Sequence, residues 1–358
     1  MRFVLVVAVL ALSLLFGCTT ILQKNCNQNL SSGVCAPNQP LYCDNGNLTD
    51  RADLCGCPPT EFIVNTTSCE KLTSNPKIIN LSYWRYGEVN LINFTVFGGL
   101  AKYQSQLSPY YECPQNRCPS DDEIEGVIEY RNINEPKQQE HISDLVKQIE
   151  SITSDKMSQA RIAISLVQRI PYDENFSLHK VCRRVSNTQF RCAEETKYPY
   201  RVLYDNLGVC SEKSRLLVAI LKEIGFETVM FIFEDENHQA VGVKCPVQYS
   251  FRETGYCFVE TTVPSIITDS MSAYSDTNKY RPSPANKYGL YSNPKILKTS
   301  SGIGFDGTIS DDYMDAKKYD ELKQKDKWSE MDYDVWQVIS KRYGIFEITF
   351  IRATITYR

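Results

Sequence analysis

The chain is 358 residues long, carries a formal net charge of −4, and is 42% hydrophobic and 11% aromatic. That length leaves room for one large domain or two to three smaller ones. The charge excludes the basic footprint of a nucleic-acid binder and the polybasic patch of a protein held to anionic lipid by charge alone.

The first element is "MRFVLVVAVLALSLLFGC", one early Arg followed by an apolar run from Phe3 to Phe16. The run is short for a membrane span and fits a secretory h-region. Its end, "LLFGC", resembles a lipobox, in which the Cys after a small residue becomes the lipidated mature N-terminus. The expectation is a signal peptide over 1–17 and a lipid anchor at Cys18, on the outer face of the cell membrane. A plain signal peptide with secretion and an uncleaved anchor are the alternatives. Six Asn-x-Ser/Thr sequons, at Asn29, Asn47, Asn65, Asn80, Asn93 and Asn175, fit an exported and glycosylated chain.

Export favours paired cysteines. Of fourteen, six lie between Cys26 and Cys69. The segment 18–72 is rich in Asn, Cys, Pro and Gly and reads as a small disulfide module, its connectivity open. "CGC" at Cys55 to Cys57 has neither the spacing of a zinc site nor a nearby His, so no metal is expected. Residues 77–98 have the β-branched and aromatic content of two strands with a turn near Gly87. The polar stretch "PSDDEIEGVIEYRNINEPKQQ" reads as a connector, and Cys113 and Cys118 form a local pair.

Helical periodicity follows. Ile142, Leu145, Val146, Ile149 and Ile152 define one apolar face, and Ile162, Ala163, Leu166, Val167 and Ile170 a second, stopped by Pro171. "CRRVSNTQFRC" predicts a hairpin closed by Cys182 and Cys192. "GVCSEKSRLLVAILKEIGF" predicts an amphipathic helix opened by Cys210, with Gly208 giving a sharp entry and Gly225 a C-cap. "TVMFIF", "HQAVGVKC" and "YCFVETT" predict strands, with Cys245 and Cys257 paired across the last two. Helices first and antiparallel strands after give an α+β class. Residues 263–307 read as loop, then two helices, "DAKKYDELKQKDKW" and "DYDVWQVISKRY", and a closing strand "IFEITFIRATITY". The acidic "DGTISDDYMD" reads as a helix start rather than a calcium loop.

With Cys18 assigned to lipid, Cys210 is the cysteine left over. A thiol at a helix N-terminus is biased towards thiolate. Such a nucleophile needs a His and a group that orients it. His141 and His179 precede Cys210. His238 opens the strand after an acidic turn, and Glu260 ends the next strand, so a hairpin would bring the two to one edge.

The stretch "GVCSEKSRLLVAILKEIGF … HQAVGV … YCFVETT" resembles the transglutaminase-like superfamily of papain-type folds. Gly208, Cys210, Ser214, Leu216, Leu217 and Gly225 match its Cys-bearing helix, His238 its histidine strand, and Glu260 with Thr262 its acidic end. The resemblance covers 136–265 and includes "ARIAISLVQRIPYD" and "KYPYRVLYDNLG"; the third residue, usually Asp, is Glu260 here. "CAPNQPLYCDNGNLTDRADLCGCP" more loosely resembles Cys-rich modules of exported archaeal proteins.

The resemblance implies helices packed on an antiparallel sheet. With the composition of the flanking segments, it divides the chain into the module 18–72, a β-rich segment and connector 73–135, a catalytic core 136–265 and a loop-rich extension 266–358. It implies acyl transfer on amide bonds of a protein or peptide, without a cofactor. In that chemistry His238 deprotonates Cys210, Glu260 fixes the imidazole, the Cys210 N–H helps hold the oxyanion, and water is the default acceptor (peptidase or amidase), with an amine (cross-linking) as the alternative. The competing expectation is a surface binding or structural protein that keeps the fold without turnover.

Overall fold

In a computed structural model, residues 25–26, 30–120, 123–174, 182–192, 197–270, 291–323, 325 and 327–345 are described. The chain divides into two units, Met1–Ser74 and Asn75–Arg358. From residue 18 onward the first has little apolar sequence to bury, and it is stapled. Cys26 bonds Cys43, Cys35 bonds Cys55, and Cys57 bonds Cys69. The staples brace two hairpins, β1 (Leu41–Asp44) with β2 (Asn47–Asp50) and β3 (Glu61–Ile63) with β4 (Cys69–Lys71), and one helical turn, α1 (Ala52–Cys55). Loops of this length stabilise by about 3 kcal/mol per bridge, which a core of Ala52, Phe62 and Leu72 would not supply alone.

The second unit opens with the predicted hairpin, β5 (Pro76–Arg85) and β6 (Glu88–Phe97). Its turn places Tyr86 and Gly87 at φ of 57° and 81°, the twist that two-residue hairpin loops require. Leu81, Tyr83, Ile92, Phe94 and Val96 face inward on alternate positions. Then come α2 (Gly98–Ser105) and β7 (Tyr110–Glu112). The expected connector is in part a helix, α3 (Ile124–Ile133). Its buried face combines Ile124, Ile128 and Ile133 with Glu129 and Asn132, and those two polar residues break the apolar periodicity that would have revealed it.

Two longer helices match their predicted faces. α4 (Pro136–Ile152) is capped by the Glu135 carboxylate on Lys137 and Gln138 N–H groups, and α5 (Lys156–Arg169) by Asp155 on Ser158 N–H. β8 (Cys182–Ser186) and β9 (Gln189–Cys192) pair as expected and join β7 in the order β7-β9-β8. After α6 (Pro199–Asp205), α7 (Cys210–Ile224) ends at Gly225, whose φ of 110° supplies the left-handed cap. β10 (Thr228–Phe233), β11 (His238–Lys244), β12 (Tyr256–Val259) and β13 (Lys295–Lys298) form an antiparallel sheet ordered β12-β11-β10-β13. β13 lies inside the stretch read as loop; two of its four residues are lysines, which hide the strand in the sequence. α8 (Ile309–Lys323) and α9 (Glu330–Tyr343) follow, and the expected closing strand falls outside the described residues.

α7 departs from its amphipathic prediction. It packs against α3, α4, α5, α6, β10 and β11, and Glu212, Lys213, Ser214 and Arg215 are buried along with its leucines. A helix enclosed on all sides must neutralise its polar face internally, and the charges around the thiol follow from that. The architecture is α+β with small antiparallel sheets. No helix among the described residues is long and apolar enough to cross a membrane.

Candidate functional site

Cys113 bonds Cys118, Cys182 bonds Cys192, and Cys245 bonds Cys257, the three local pairs read from spacing. Six bridges fit an oxidising compartment. Cys210 is the free cysteine among the described residues; Cys18 lies outside them. Of the sequon asparagines, Asn47, Asn65, Asn80 and Asn93 are exposed, and Asn29 and Asn175 lie outside the described residues.

Cys210 is the first residue of α7 and is 5% exposed. The Glu212 carboxylate accepts from Val209 N–H at 3.1 Å and Lys197 N–H at 2.8 Å, which fixes the entry to the helix. Gly208 acts through close approach rather than through a sharp left-handed turn. A Cβ there would lie 3.1 Å from Val202 Cγ1, 3.3 Å from Lys213 Cγ and 3.4 Å from Glu212 Oε2.

The β11–β12 register pairs Val241 with Val259, which puts His238 at the start of β11 and Glu260 one residue past β12, at the same end of the sheet. His238 Nε2 lies 3.0 Å from Glu260 Oε2. The Cys210 thiol hydrogen-bonds the His238 ring and also receives the Gln239 N–H. With Nε2 engaged by the carboxylate, Nδ1 is the ring nitrogen left for sulfur. Helix and strands interlock behind this contact: Ser214 Oγ donates to Gln239 O at 3.2 Å and lies 3.1 Å from Thr261 Oγ1. The three residues the sequence singled out are thus brought together. His141 is elsewhere, tilted between Phe97 and Tyr200 at 5.3 and 5.2 Å, and His179 lies outside the described residues.

Glu260 is fully buried and held by donors on both oxygens. Oε1 accepts from Thr261 N–H at 2.9 Å, Thr262 N–H at 2.8 Å and Thr262 Oγ1 at 2.7 Å. Oε2 accepts from Tyr291 Oη at 3.1 Å as well as facing His238. Burial pushes the carboxyl up, but the His238 charge and these hydrogen bonds outweigh it and bring it down to about 2. Burial likewise works against charge on His238, and the Glu260 charge overrides it and raises the imidazole to about 10. For Cys210, burial raises the thiol, and the hydrogen bond and charge of His238 more than offset this, leaving it below its ordinary value. Both directions favour the thiolate–imidazolium form of the pair.

Sequence reasoning missed three supports. Tyr291 stacks on the His238 ring at 5.1 Å and 10° and on Phe233 at 4.4 Å, within a buried cluster that includes Phe231, Phe251 and Phe258. Nothing local to "GLYSNP" announces this, because the contact spans 31 positions. Gln168 Nε2 holds Glu260 O at 3.0 Å and Ser265 O at 3.1 Å. Lys213 Nζ donates to the carbonyls of Ile170 at 2.6 Å, Thr262 at 3.0 Å and Gln168 at 3.3 Å, tying α5 to the loop after β12. Burial brings this lysine down to about 7 against the charges of Glu260 and Cys210. Its signal was available, since it stands three residues after Cys210 on the face shared with Leu217.

No family model, no curated protein and no solved structure matches this chain. A cysteine beside a histidine that a carboxylate holds from the other side is an arrangement able to activate a thiol as a nucleophile. Among the described residues, no group of three His, Cys, Asp or Glu side chains could hold a metal ion.

Proposed function

We propose that the chain is an exported thiol acyl-transfer enzyme of transglutaminase-like fold, acting on amide bonds of a protein or peptide and passing the acyl group to water. The observation that carries this reading is the free Cys210, hydrogen-bonded to a His238 that Glu260 holds from the other side. In the proposed cycle the Cys210 thiolate attacks the amide carbonyl and a carbon–sulfur bond forms. The Cys210 N–H, at a helix start where amides have no intrahelical acceptor, faces the developing oxyanion. The His238 imidazolium gives its proton to the departing amine as the C–N bond breaks. Neutral His238 then takes a proton from water, whose oxygen displaces sulfur from the thioester, and the ion pair is restored. Glu260, with Tyr291 on its oxygen, keeps the imidazole oriented through both proton transfers. Cys18 is the proposed lipid anchor, placing this chemistry outside the membrane.

The burial of Cys210 and His238, 5% and 6% exposed, favours a second reading, a surface binding protein that keeps the arrangement without turnover. One experiment separates them: iodoacetamide labelling of the non-reduced chain, mapped by peptide mass spectrometry from pH 5 to 9. The enzyme reading expects Cys210 to be labelled rapidly below neutral pH, and the reaction to slow in His238→Ala. A sulfur that stays inert across the range, or is found bonded to another, overturns it.

A further inference from the structure

Beside the thiol, α7 carries polar groups that Cys210, His238 and Glu260 do not use. Arg215 and Glu129 are fully buried, and the guanidinium grips the carboxylate with two nitrogens, Nη2 lying 2.6 Å from Oε1. Further along both chains, Lys222 Nζ meets Asn134 Oδ1 at the end of α3. Both pairs advance towards the C-terminus together, so α3 and α7 run parallel. Ser211, one turn before Arg215, therefore lies beside the turn of α3 that carries Glu125, one turn before Glu129. β11 closes the third side. Gln239 follows His238 and leaves the strand by the opposite face, and its Nε2 donates to Glu125 Oε1 at 3.2 Å. The backbone N–H of this same Gln239 donates to the Cys210 sulfur, so the cluster adjoins the nucleophile.

Two side-chain oxygens here are buried without a hydrogen-bond partner among the described residues, Ser211 Oγ and Gln239 Oε1. Their residues are 2% and 6% exposed. Left empty, such atoms cost free energy, so an unused acceptor next to a nucleophile points to a donor that arrives with a ligand. Gln239 Oε1 shares its amide carbon with the nitrogen that touches Glu125, which keeps this oxygen and the carboxylate within reach of one small group. Glu125 is half-buried and faces the negative Glu129 and Glu234 and the positive Lys295 and Arg215. Burial, with the charges of Glu129 and Glu234, pushes its carboxyl up, and a cation arriving beside it would relieve that. A primary ammonium has three donors, no acceptor and one positive charge.

The geometry points to a subsite for a primary ammonium group beside the nucleophile, formed by the Glu125 carboxylate, Gln239 Oε1 and Ser211 Oγ. It rests on the acyl-transfer reading and narrows it: the substrate carries a protonated amine next to the amide under attack, from a lysine-type side chain or from a free α-amine.

Chloromethyl ketones, which alkylate the thiolate with loss of chloride, test this on the full chain, with the Cys210 peptide followed by mass spectrometry. Acetyl-lysyl against acetyl-norleucyl reagent reads the side-chain source, and alanyl against acetyl-alanyl reagent reads the α-amine. The subsite expects one of the two cationic reagents to label about tenfold faster or more than its neutral partner, the worth of one charge-assisted hydrogen bond. In Glu125→Gln that ratio falls to about one. Equal rates within both pairs overturn the subsite and leave the thiol reading standing. Failure of all four reagents and of iodoacetamide to reach Cys210 overturns the acyl-transfer reading, and the subsite with it.

Discussion

Replacing Glu260 by Gln tests how the thiolate is made. The carboxylate takes three donors on Oε1 and the His238 and Tyr291 contacts on Oε2. A glutamine amide offers one oxygen and one nitrogen, so either the threonine donors or the imidazole must face an N–H₂. The negative charge also disappears. His238 stands at about 10 against an ordinary 6.5, a difference of about 5 kcal/mol, and the Glu260 charge is the largest force opposing burial. Without it, burial is opposed by the Cys210 contacts alone, and the imidazole falls from its raised value. Glu260 also acts directly on Cys210, its charge disfavouring thiolate, but that effect is smaller than the hydrogen bond and charge of His238. The net result is a thiol displaced upward, and alkylation at pH 6 falls about tenfold or more, the low end of what losing one neighbouring opposite charge does. The assay is the iodoacetamide rate of the Cys210 peptide against pH. An acid limb within about half a unit of wild type would refute the claim that a carboxylate steers this pair. Glu260→Asp falls between: a side chain about 1.5 Å shorter loses either the threonine donors or the imidazole at 3.0 Å.

Three further outcomes follow from the same contacts. Arg215→Leu strands a fully buried Glu129 carboxylate and should cost about 3–5 kcal/mol in urea unfolding, most of it recovered in Arg215→Leu with Glu129→Leu; a loss below about 1 kcal/mol contradicts the buried pair. Gly208→Ala brings a Cβ to 3.1 Å from Val202 Cγ1 and 3.3 Å from Lys213 Cγ and should destabilise by about 1–3 kcal/mol, whereas an unchanged midpoint would remove the close-approach account of that glycine. Stability should also follow the ion pair. The Glu260 contribution is complete above its ordinary 4.5 and is lost as pH falls towards about 2, while that of His238 is complete below its ordinary 6.5 and is lost as pH rises towards about 10. Unfolding midpoints of wild type minus Glu260→Gln should therefore form a plateau between, and a flat difference from pH 2 to 10 would sink it.

The parts of the site legible in the sequence are those held by short-range rules. Cys210 at a helix start, Gly225 as its cap, His238 opening a strand and Glu260 just after the next all follow from periodicity, capping and hairpin spacing. The local disulfides follow from hairpin geometry in the same way. Connectivity among the first six cysteines does not, because nothing local distinguishes Cys43 from Cys55 as a partner for Cys26. α3 was hidden because Glu129 and Asn132 occupy its buried face, and Glu129 makes sense there only once Arg215 is seen beside it. β13 was hidden because an edge strand with two lysines looks like solvated loop.

What stayed illegible is also what makes the site rigid. Residues 260–262 form an irregular segment that no strand ladder fixes. Three separate elements fix it instead: Gln168 from α5 holds Glu260 O, Lys213 from α7 holds Thr262 O, and Tyr291 holds the Glu260 carboxylate. Lys213 also ties this segment to α5, since its remaining donors go to carbonyls at the same end of α5 that carries Gln168. The acid is therefore positioned by the helix that bears the nucleophile and by the helix packed against it, so sulfur and carboxylate share one frame and the imidazole is held between them. An aligned His and Glu on a mobile loop would give the same motif in sequence. It would not keep a charged pair buried, because an imidazolium without a fixed carboxylate at this depth would lose its proton.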